Sequence, residues 1–311
     1  MPELDGMTDK NTLTLLREKW GLADEADKER AGFTSLILEN QSRHFTRLVE
    51  ETRAIWGPTD WSSDLLDSLK SRLMTHPLYD LCAMQPMTGP IGVVYYYRPQ
   101  SGTTVMTNAN TGEEIRVPEI VLSIEPITIT AESRRLKGFV GADESVDGMV
   151  VELLTELSRE IISTMMPTAP ESGNYVTEDA DHWEELRRAA HVIHRRSQRA
   201  PANRIVANAE MLTKLGIECP DDDSAYIQSM GEHDGRLVFL DPAFPKGQIL
   251  AWYQGATPLD TGLIFSPYIM VEITPNFVDP TDGTLRRALR TRHKLTVVRP
   301  EFSYLIKTET A

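Results

Sequence analysis

The stretch that decides the fold is Asp80-Leu-Cys-Ala-Met-Gln-Pro-Met-Thr-Gly-Pro-Ile-Gly-Val-Val-Tyr-Tyr-Tyr97. It starts apolar, turns through Gln85 to Pro90, and leaves through Gly92 into a run of β-formers. Proline and glycine at this density punctuate a chain, and Val-Val-Tyr-Tyr-Tyr favours extended backbone. Residues 98–118 follow, reading RPQSGTTVMTNANTGEEIRVP. Short β runs flank Asn108-Ala-Asn-Thr-Gly112, which is a hairpin signal. The segment has few large apolar side chains, so it cannot build a core of its own. About ten residues per arm would reach about 33 Å. A compact chain of this length has a radius of gyration near ~19 Å. The hairpin is therefore expected to project beyond its own body.

Upstream, residues 1–60 read as a helical arm. Asn11 to Trp20 is a short amphipathic helix. Phe33, Leu36, Ile37, Phe45 and Leu48 mark a second, with Glu39, Arg43, Arg47 and Glu50 expected on its solvated side. Gly57-Pro58 ends it. Such short helices are marginal alone and need a partner surface, either the body or a neighbouring subunit. Residues 61–97 hold a third helix, Ser62 to Thr75, with Leu65, Leu66, Leu69 and Leu73, and then the lead-in to the hairpin.

Downstream, Glu119 to Thr130 alternates like a strand interrupted by Pro126. Ser145 is placed to cap a long helix in which Val146, Met149, Val150, Leu153, Leu157, Ile161 and Met165 follow the 3, 4, 7 spacing. Residues 119–167 group around that spine. From 168 to 273 the pattern alternates between helix and strand. Thr177 or Asp179 opens a helix to about Gln198. Strands follow at Arg204–Ala207, Leu237–Leu240, Ile249–Tyr253 and Leu263–Ile273, and a short helix ends at Gly216. Residues 274–311 contain the basic stretch Leu285 to Lys294 and a strand, Leu295 to Val298.

The 311 residues allow about two domains. A net charge of −14 argues against nucleic-acid binding, which needs a basic stripe to displace counterions. It is compatible with a wall that repels enclosed DNA. Cys82 and Cys219 lack CxxC spacing and read as reduced structural thiols. No apolar run reaches the roughly 18 residues of a membrane span, and the polar, acidic N-terminus is no secretory signal.

Eight stretches in one order resemble the major capsid proteins of tailed phages, T-even myovirus type. They are Leu38-Glu-Asn-Gln41, Asp80 to Gly92, Glu132-Ser-Arg-Arg-Leu-Lys137, Glu156-Leu-Ser-Arg-Glu160, Arg204-Ile-Val-Ala207, Phe239-Leu-Asp-Pro242, Gly255 to Pro267, and Arg290-Thr-Arg-His293. The resemblance implies an α+β chain with the Hong Kong 97-type capsid fold. It implies a shell subunit that self-assembles into pentamers and hexamers around a phage genome. Scaffold, portal and vertex or decoration proteins are the implied partners, with synthesis in the host cytoplasm and residence in the virion. On that layout 98–118 is the extended loop (E-loop) lying over a neighbour. Residues 119–167 and 274–311 form the peripheral domain, and 168–273 the axial domain. The chain departs from the T-even pattern in lacking a large E-loop insertion, in the short segment after its last strand, and in keeping the arm. The family's maturation protease recognises Leu or Ile, any residue, then Glu. Ile37-Leu-Glu39 and Leu48-Val-Glu50 fit, making cleavage after Glu39 or Glu50 an open expectation.

The chemistry is then expected on surfaces that meet other copies: Arg98, Thr103, Thr104, Asn108, Asn110, Glu113, Glu114 and Arg116 on the hairpin, and Arg286, Arg287, Arg290 and Arg292 on the basic stretch. Glu113 and Glu114 of one copy are the expected partners of the basic stretch of the next. No catalytic residue, metal or cofactor is expected. His191 and His194 have one-turn spacing, but Arg187, Arg188, Arg195 and Arg196 surround them with positive charge. Asp221-Asp-Asp223 reads as a solvated turn. No G-x-S-x-G, P-loop or GxGxxG motif is present, and 98–118 has no Lys for covalent cross-linking. A vertex-only pentamer protein, an encapsulin-like shell, and more remotely an α/β enzyme built on 168–273, are the alternatives.

Overall fold

A computed structural model describes residues 10–52, 61–107, 114–135, 140–141, 145–166, 181–220, 226–273, 277–278, 283, 285–287 and 289–308. Its central feature is a ribbon of two antiparallel strands, β2 (Ile91–Thr107) and β3 (Glu114–Thr130), paired without a break from Ile91↔Thr130 to Thr107↔Glu114. At about 3.4 Å per residue the paired part spans about 54 Å. This corrects the expected 98–118 hairpin, because the strand placed in the peripheral domain is the ribbon's second arm. Pro126 was expected to interrupt its strand, yet neither it nor Pro99 nor Pro118 interrupts the pairing. Proline only forfeits a ladder bond where its N–H would point at the partner strand. The three sit across from Leu122, Thr103 and Tyr95, so all fall at β2 positions of one parity. The backbone of Tyr95 and Tyr97, at that same parity, points away from β3: Tyr95 N–H donates to Gln85 Oε1, and Tyr97 N–H to the Leu259 carbonyl. One phase of the ladder thus accommodates every proline.

Two bodies flank the ribbon's root. The first is a four-stranded sheet in the order β1 (Ala83–Met84), β10 (Leu263–Ile273), β13 (Leu289–Val297), β4 (Glu132–Arg135). It is covered by α2 (Lys28–Thr52), α3 (Trp61–Thr75), α4 (Leu78–Leu81) and the spine helix α5 (Val146–Met165). Ser145 caps the spine as expected, accepting from Gly148 N–H at 3.1 Å. The predicted stripe Met149, Val150, Leu153, Leu157, Ile161 and Met165 is buried against Leu65, Leu69, Leu73 and Phe265.

The second body is a five-stranded sheet in the order β14 (Ser303–Lys307), β9 (Gln248–Trp252), β6 (Arg204–Ala207), β8 (Arg236–Leu240), β7 (Gln228–His233). Helices α6 (His182–Ser197) and α7 (Ala209–Lys214) bury Leu186, Ile193, Met211 and Leu212 against it. Gly216 ends the α7 turn at φ +73°, as its position after the helix requires. The N-cap of α6 is Asp181, whose carboxylate accepts from Trp183 and Glu184 N–H. Thr177 and Asp179, the expected caps, lie outside the described residues.

Several boundaries shift. Leu263–Ile273 belongs with β13 in the first sheet, and the C-terminal Ser303–Lys307 pairs with β9 in the second. A division at 273/274 therefore separates strands that hydrogen-bond to each other. Strand β7 was not anticipated; it reaches β8 through Asp234-Gly235, both at positive φ, the backbone of a two-residue hairpin turn.

The second helix of the arm, expected to need either the body or a neighbouring subunit as its partner surface, packs on the chain's own body. Every residue from Ala31 to Gln41 is buried, including Phe33, Ile37 and Leu38 in the main core. Each such side chain contributes about 1.5–3 kcal/mol relative to exposure, enough to hold a helix that is marginal alone. Glu39, expected in solvent, is buried between Lys19 at 2.5 Å and Arg43 at 3.1 Å. Burial alone would push its carboxyl up. The Lys19 and Arg43 hydrogen bonds and charges outweigh that and hold it below the usual carboxylate range. Gly57-Pro58 lies outside the described residues.

His76, just after α3, accepts from Leu78 N–H at 3.2 Å through Nδ1. Burial, helped by Arg30 and Arg72, pushes its pKa down to about 4. An unfolded histidine takes up a proton near ~6.5, so between those values the unfolded state binds a proton that the folded state refuses. The stabilisation is full above about pH 6.5 and lost as pH falls to about 4. Denaturant titrations of the parent and of His76→Asn across that window should converge by on the order of 2–3 kcal/mol at low pH. Parallel curves would assign the loss to other groups.

Candidate subunit interface

Three of the stretches singled out in the sequence, 38–41, 80–92 and 255–267, meet around the ribbon's root. Gln85 uses its side chain as a surrogate strand residue: Nε2 donates to Tyr95 O at 2.7 Å and Oε1 accepts from Tyr95 N–H at 2.9 Å. The same Nε2 donates to Pro258 O at 3.0 Å. Gln41 does likewise for β10, with Nε2 donating to Val271 O at 2.6 Å and Oε1 accepting from Val271 N–H at 3.0 Å. Asn40 donates to Met87 O at 2.6 Å. A glutamine amide carries one donor face and one acceptor face, so it can satisfy both backbone groups of an edge residue.

The other side of the root is fixed by Asp260. Its carboxylate accepts from Arg199 Nε at 3.0 Å and Nη2 at 2.5 Å, and from the Tyr253 hydroxyl at 2.8 Å. Burial and the neighbouring carboxylate push the Tyr253 hydroxyl up to about 12. A Cβ at Gly255 would lie 2.5 Å from the Asp260 side chain, so only glycine fits there. Arg299 spans to the ribbon, with Nη1 at 3.4 Å from Tyr97 O and Nη2 donating to Ser197 O at 3.0 Å. Val94 and Ile129 of the ribbon close the root against Ala83, Met87 and Ile264. The ribbon is therefore a clamped lever.

The ribbon carries exposed apolar side chains both at its root, Ile91 at 65% and Val93 at 44%, and further out, Ile120 at 50% and Val121 at 46%. The pairing puts Ile91, Val93 and Ile120 on one face. Arg98 is exposed and bonds Glu125 of the same ribbon at 3.2 Å. Thr103 and Thr104 lie opposite Pro118 and Val117, Arg116 opposite Val105, and Glu114 opposite Thr107. Asn108, Asn110 and Glu113 lie outside the described residues.

The basic stretch falls on two strands. Arg286 and Arg287 of β12 (Leu285–Arg287) stand across from Gly141 and Val140. Arg290 is exposed on β13, across from Arg135 and Glu272. Arg292 already has an acid of its own chain, Glu272, with Nη2 at 2.5 Å from Oε1, and Lys294 bonds Glu132. For Arg292 the expected pairing with a neighbour's Glu113 or Glu114 gives way to this cross-strand partner. Of the two cleavage triplets, Ile37-Leu38-Glu39 is buried mid-helix, so cutting there requires α2 to unwind. Glu50 lies in the last turns of that helix.

His191 and His194 are exposed on α6. Among the described residues no cluster of His, Cys, Asp or Glu could hold a metal. Cys82 is buried and Cys219 half-buried, both free. What sequence reasoning missed was the role of Gln85, Gln41 and Asp260. All three lay inside the quoted stretches, but partners 173 and 230 positions away in the chain leave no local signal.

The sequence profile of major capsid protein Gp23 matches residues 99–309, about two thirds of the chain. The major capsid protein of Serratia phage KSP90 is 24% identical, over 83% of this chain and 82% of that one. Among solved structures, the chain is similar to the virus-like particle from Pyrococcus furiosus, with 12% identity over 79% of this chain and 96% of that one and a TM-score of 0.49. It is also similar to a chain of Mycobacterium phage Che8, with 14% identity, 74% and 90% coverage and a TM-score of 0.45. An α+β body with a long projecting hairpin and a spine helix is the architecture expected above for a Hong Kong 97-type capsid subunit, and with the profile match it leads to one conclusion: the chain belongs to the Gp23 family of phage major capsid proteins.

Proposed function

We propose that the chain builds a phage head by assembling with copies of itself into pentamers and hexamers that close an icosahedral shell around DNA. The observation that carries this reading is the ribbon, about 54 Å of paired strand rigidly clamped at one end and lined with apolar residues that its own body leaves exposed. Such a surface is covered only by another molecule. The ribbon acts as the E-loop over a neighbouring copy. Arg98, Thr103, Thr104, Arg116 and Glu114 on it, and Arg286, Arg287 and Arg290 on the return strands, are the contacts. The first sheet with the spine acts as the peripheral domain and the second sheet as the axial domain. Each interface is on the order of 800 Å² per partner, and ring closure makes successive weak contacts effectively intramolecular. The role is structural, with no catalytic step. Scaffold and portal proteins would guide assembly in the host cytoplasm, and the acidic chain would contain DNA without gripping it.

Negative-stain microscopy of the expressed chain tests this reading. Closed shells are the expected result. Pentamers alone would point to a vertex protein, shells loaded with an enzyme to a compartment, and monomers at every concentration would overturn the proposal.

A further inference from the structure

One edge of the ribbon is occupied at its root and the other is not. Tyr95 and Tyr97 turn their backbone away from β3 and toward the body, where Gln85 and the Leu259 carbonyl meet them. Their register partners on β3 are Pro126 and Ile124, and the same phase continues through Leu122, Ile120 and Pro118. These residues therefore turn their backbone groups outward from the ribbon. The ribbon is two-stranded, and among the described residues no backbone bond reaches that outward edge. A free edge is a template for another strand, and proline is one of the residues that blunts it. Pro118 and Pro126 lack N–H donors, while Ile120, Leu122 and Ile124 between them keep theirs. The open window is centred on Leu122, with a proline four positions away on either side.

We propose that the ribbon of a second copy pairs along this edge, β3 against β3 in antiparallel sense, across a twofold axis through Leu122. In that register Ile120 stands opposite Ile124, Leu122 opposite Leu122, and each Pro118 opposite the other copy's Pro126. Every residue with a donor then meets another with a donor. A slip of two residues in either direction sets a proline against Ile120 or Ile124 and leaves a carbonyl there without its donor. The contact uses the same patch on both copies, as a twofold interface requires. The side chains agree with the backbone. Ile120, Leu122 and Ile124 share the ribbon face of Ile91 and Val93, so joining two ribbons makes one apolar face across four strands. On the other face Glu125 comes opposite Glu119 of the second copy. Arg98 offsets that like pair through its bond to Glu125 at 3.2 Å. The seam is too short to reach the roughly 800 Å² per partner of a freestanding pair, so it forms within the shell. The proposal rests on the shell reading above and names what the ribbon's free edge meets.

Cysteine at the axis tests the pairing in the full chain. Directly opposed, hydrogen-bonded residues have Cα atoms about 5.5 Å apart, within reach of a disulfide. Leu122→Cys should therefore link two copies in assembled particles under mild oxidation, read as a dimer band on a non-reducing gel. Thr128→Cys, exposed on the same strand, would stand about 40 Å from its twin and should not link. Nor should the parent, whose Cys82 is buried and Cys219 half-buried. Leu122→Pro gives a second readout. Like Pro126 it gives up only an outward donor, so the ribbon's own ladder stays whole and thermal melts should match the parent within a few degrees. Sedimentation should show that it needs about tenfold more protein for half-assembly. A Leu122→Cys dimer band no stronger than that of Thr128→Cys, or a Leu122→Pro variant that assembles like the parent, would overturn the inference and leave the shell reading standing. A parent that never assembles would overturn both. The cysteine variants leave the backbone unchanged, so they decide the matter even where Leu122→Pro fails to fold.

Discussion

Removing Ser101 to Ile120 and joining Gln100 to Val121 through Asn-Gly should yield a soluble, folded subunit that forms no shells. The register makes the excision clean: Ser101 faces Ile120 and Gln100 faces Val121, so the cut removes whole pairs, and Asn-Gly supplies the two-residue turn that matches strand twist. The root bonds from Gln85, Leu259 and Arg299 stay in place, as does the buried pair Val94 and Ile129. The circular dichroism spectrum should lose only ribbon signal, and the melting temperature should stay within a few degrees of the parent. Sedimentation should move from large particles to single subunits. Normal shells from the shortened chain would show that the ribbon's outer half is dispensable and would remove the observation on which the proposed function stands.

Phe265→Ala should lower the unfolding free energy by about 3–5 kcal/mol, a large part of the 5–15 kcal/mol typical of a domain. Phe265 is fully buried near the start of β10. Its register partners are Met84 of β1 and Leu295 of β13, and its ring meets His293 edge-on at 5.3 Å. Its carbonyl accepts from Gln85 N–H at 3.0 Å, so a cavity here also loosens the residue that clamps the ribbon. Strands on both sides fix the backbone and limit collapse, which places the cost toward the upper end. Chemical denaturation measures it, with Ile91→Ala as the comparison. Ile91 is 65% exposed and should cost under about 0.5 kcal/mol of subunit stability while weakening assembly. A loss below about 1 kcal/mol for Phe265→Ala would mean that the site repacks freely.

The spine helix was readable because one apolar stripe and one cap say everything about it: Met149 to Met165 repeat on a single face and Ser145 begins the turn. Helix α2 was not readable in that way, since its polar residues are buried too. Thr34 bonds the Tyr79 hydroxyl, Ser35 the Gly32 carbonyl, and Asn40 and Gln41 reach Met87 and Val271. A helix whose buried polar residues are met by distant partners looks amphipathic, and therefore separable, when read alone. The ribbon was underestimated for the opposite reason, because three prolines that would break a central strand are harmless in a two-stranded one. Asp234-Gly235 did carry its turn in plain residue types. The sequence placed its candidate contacts on a hairpin that forms part of the ribbon, but it could not show that Arg292 pairs with Glu272, because sheet register decides that.

The spacing of those prolines has one more result. Were the arms to zip one residue out of step, Pro99 would demand one alternation of bonded and open pairs while Pro118 and Pro126 demanded the other, and some rung would fail whichever was chosen. Mis-threaded ribbons are thus rejected while the arms close, before any neighbour is touched, and every subunit offers the growing lattice the same side of its arm.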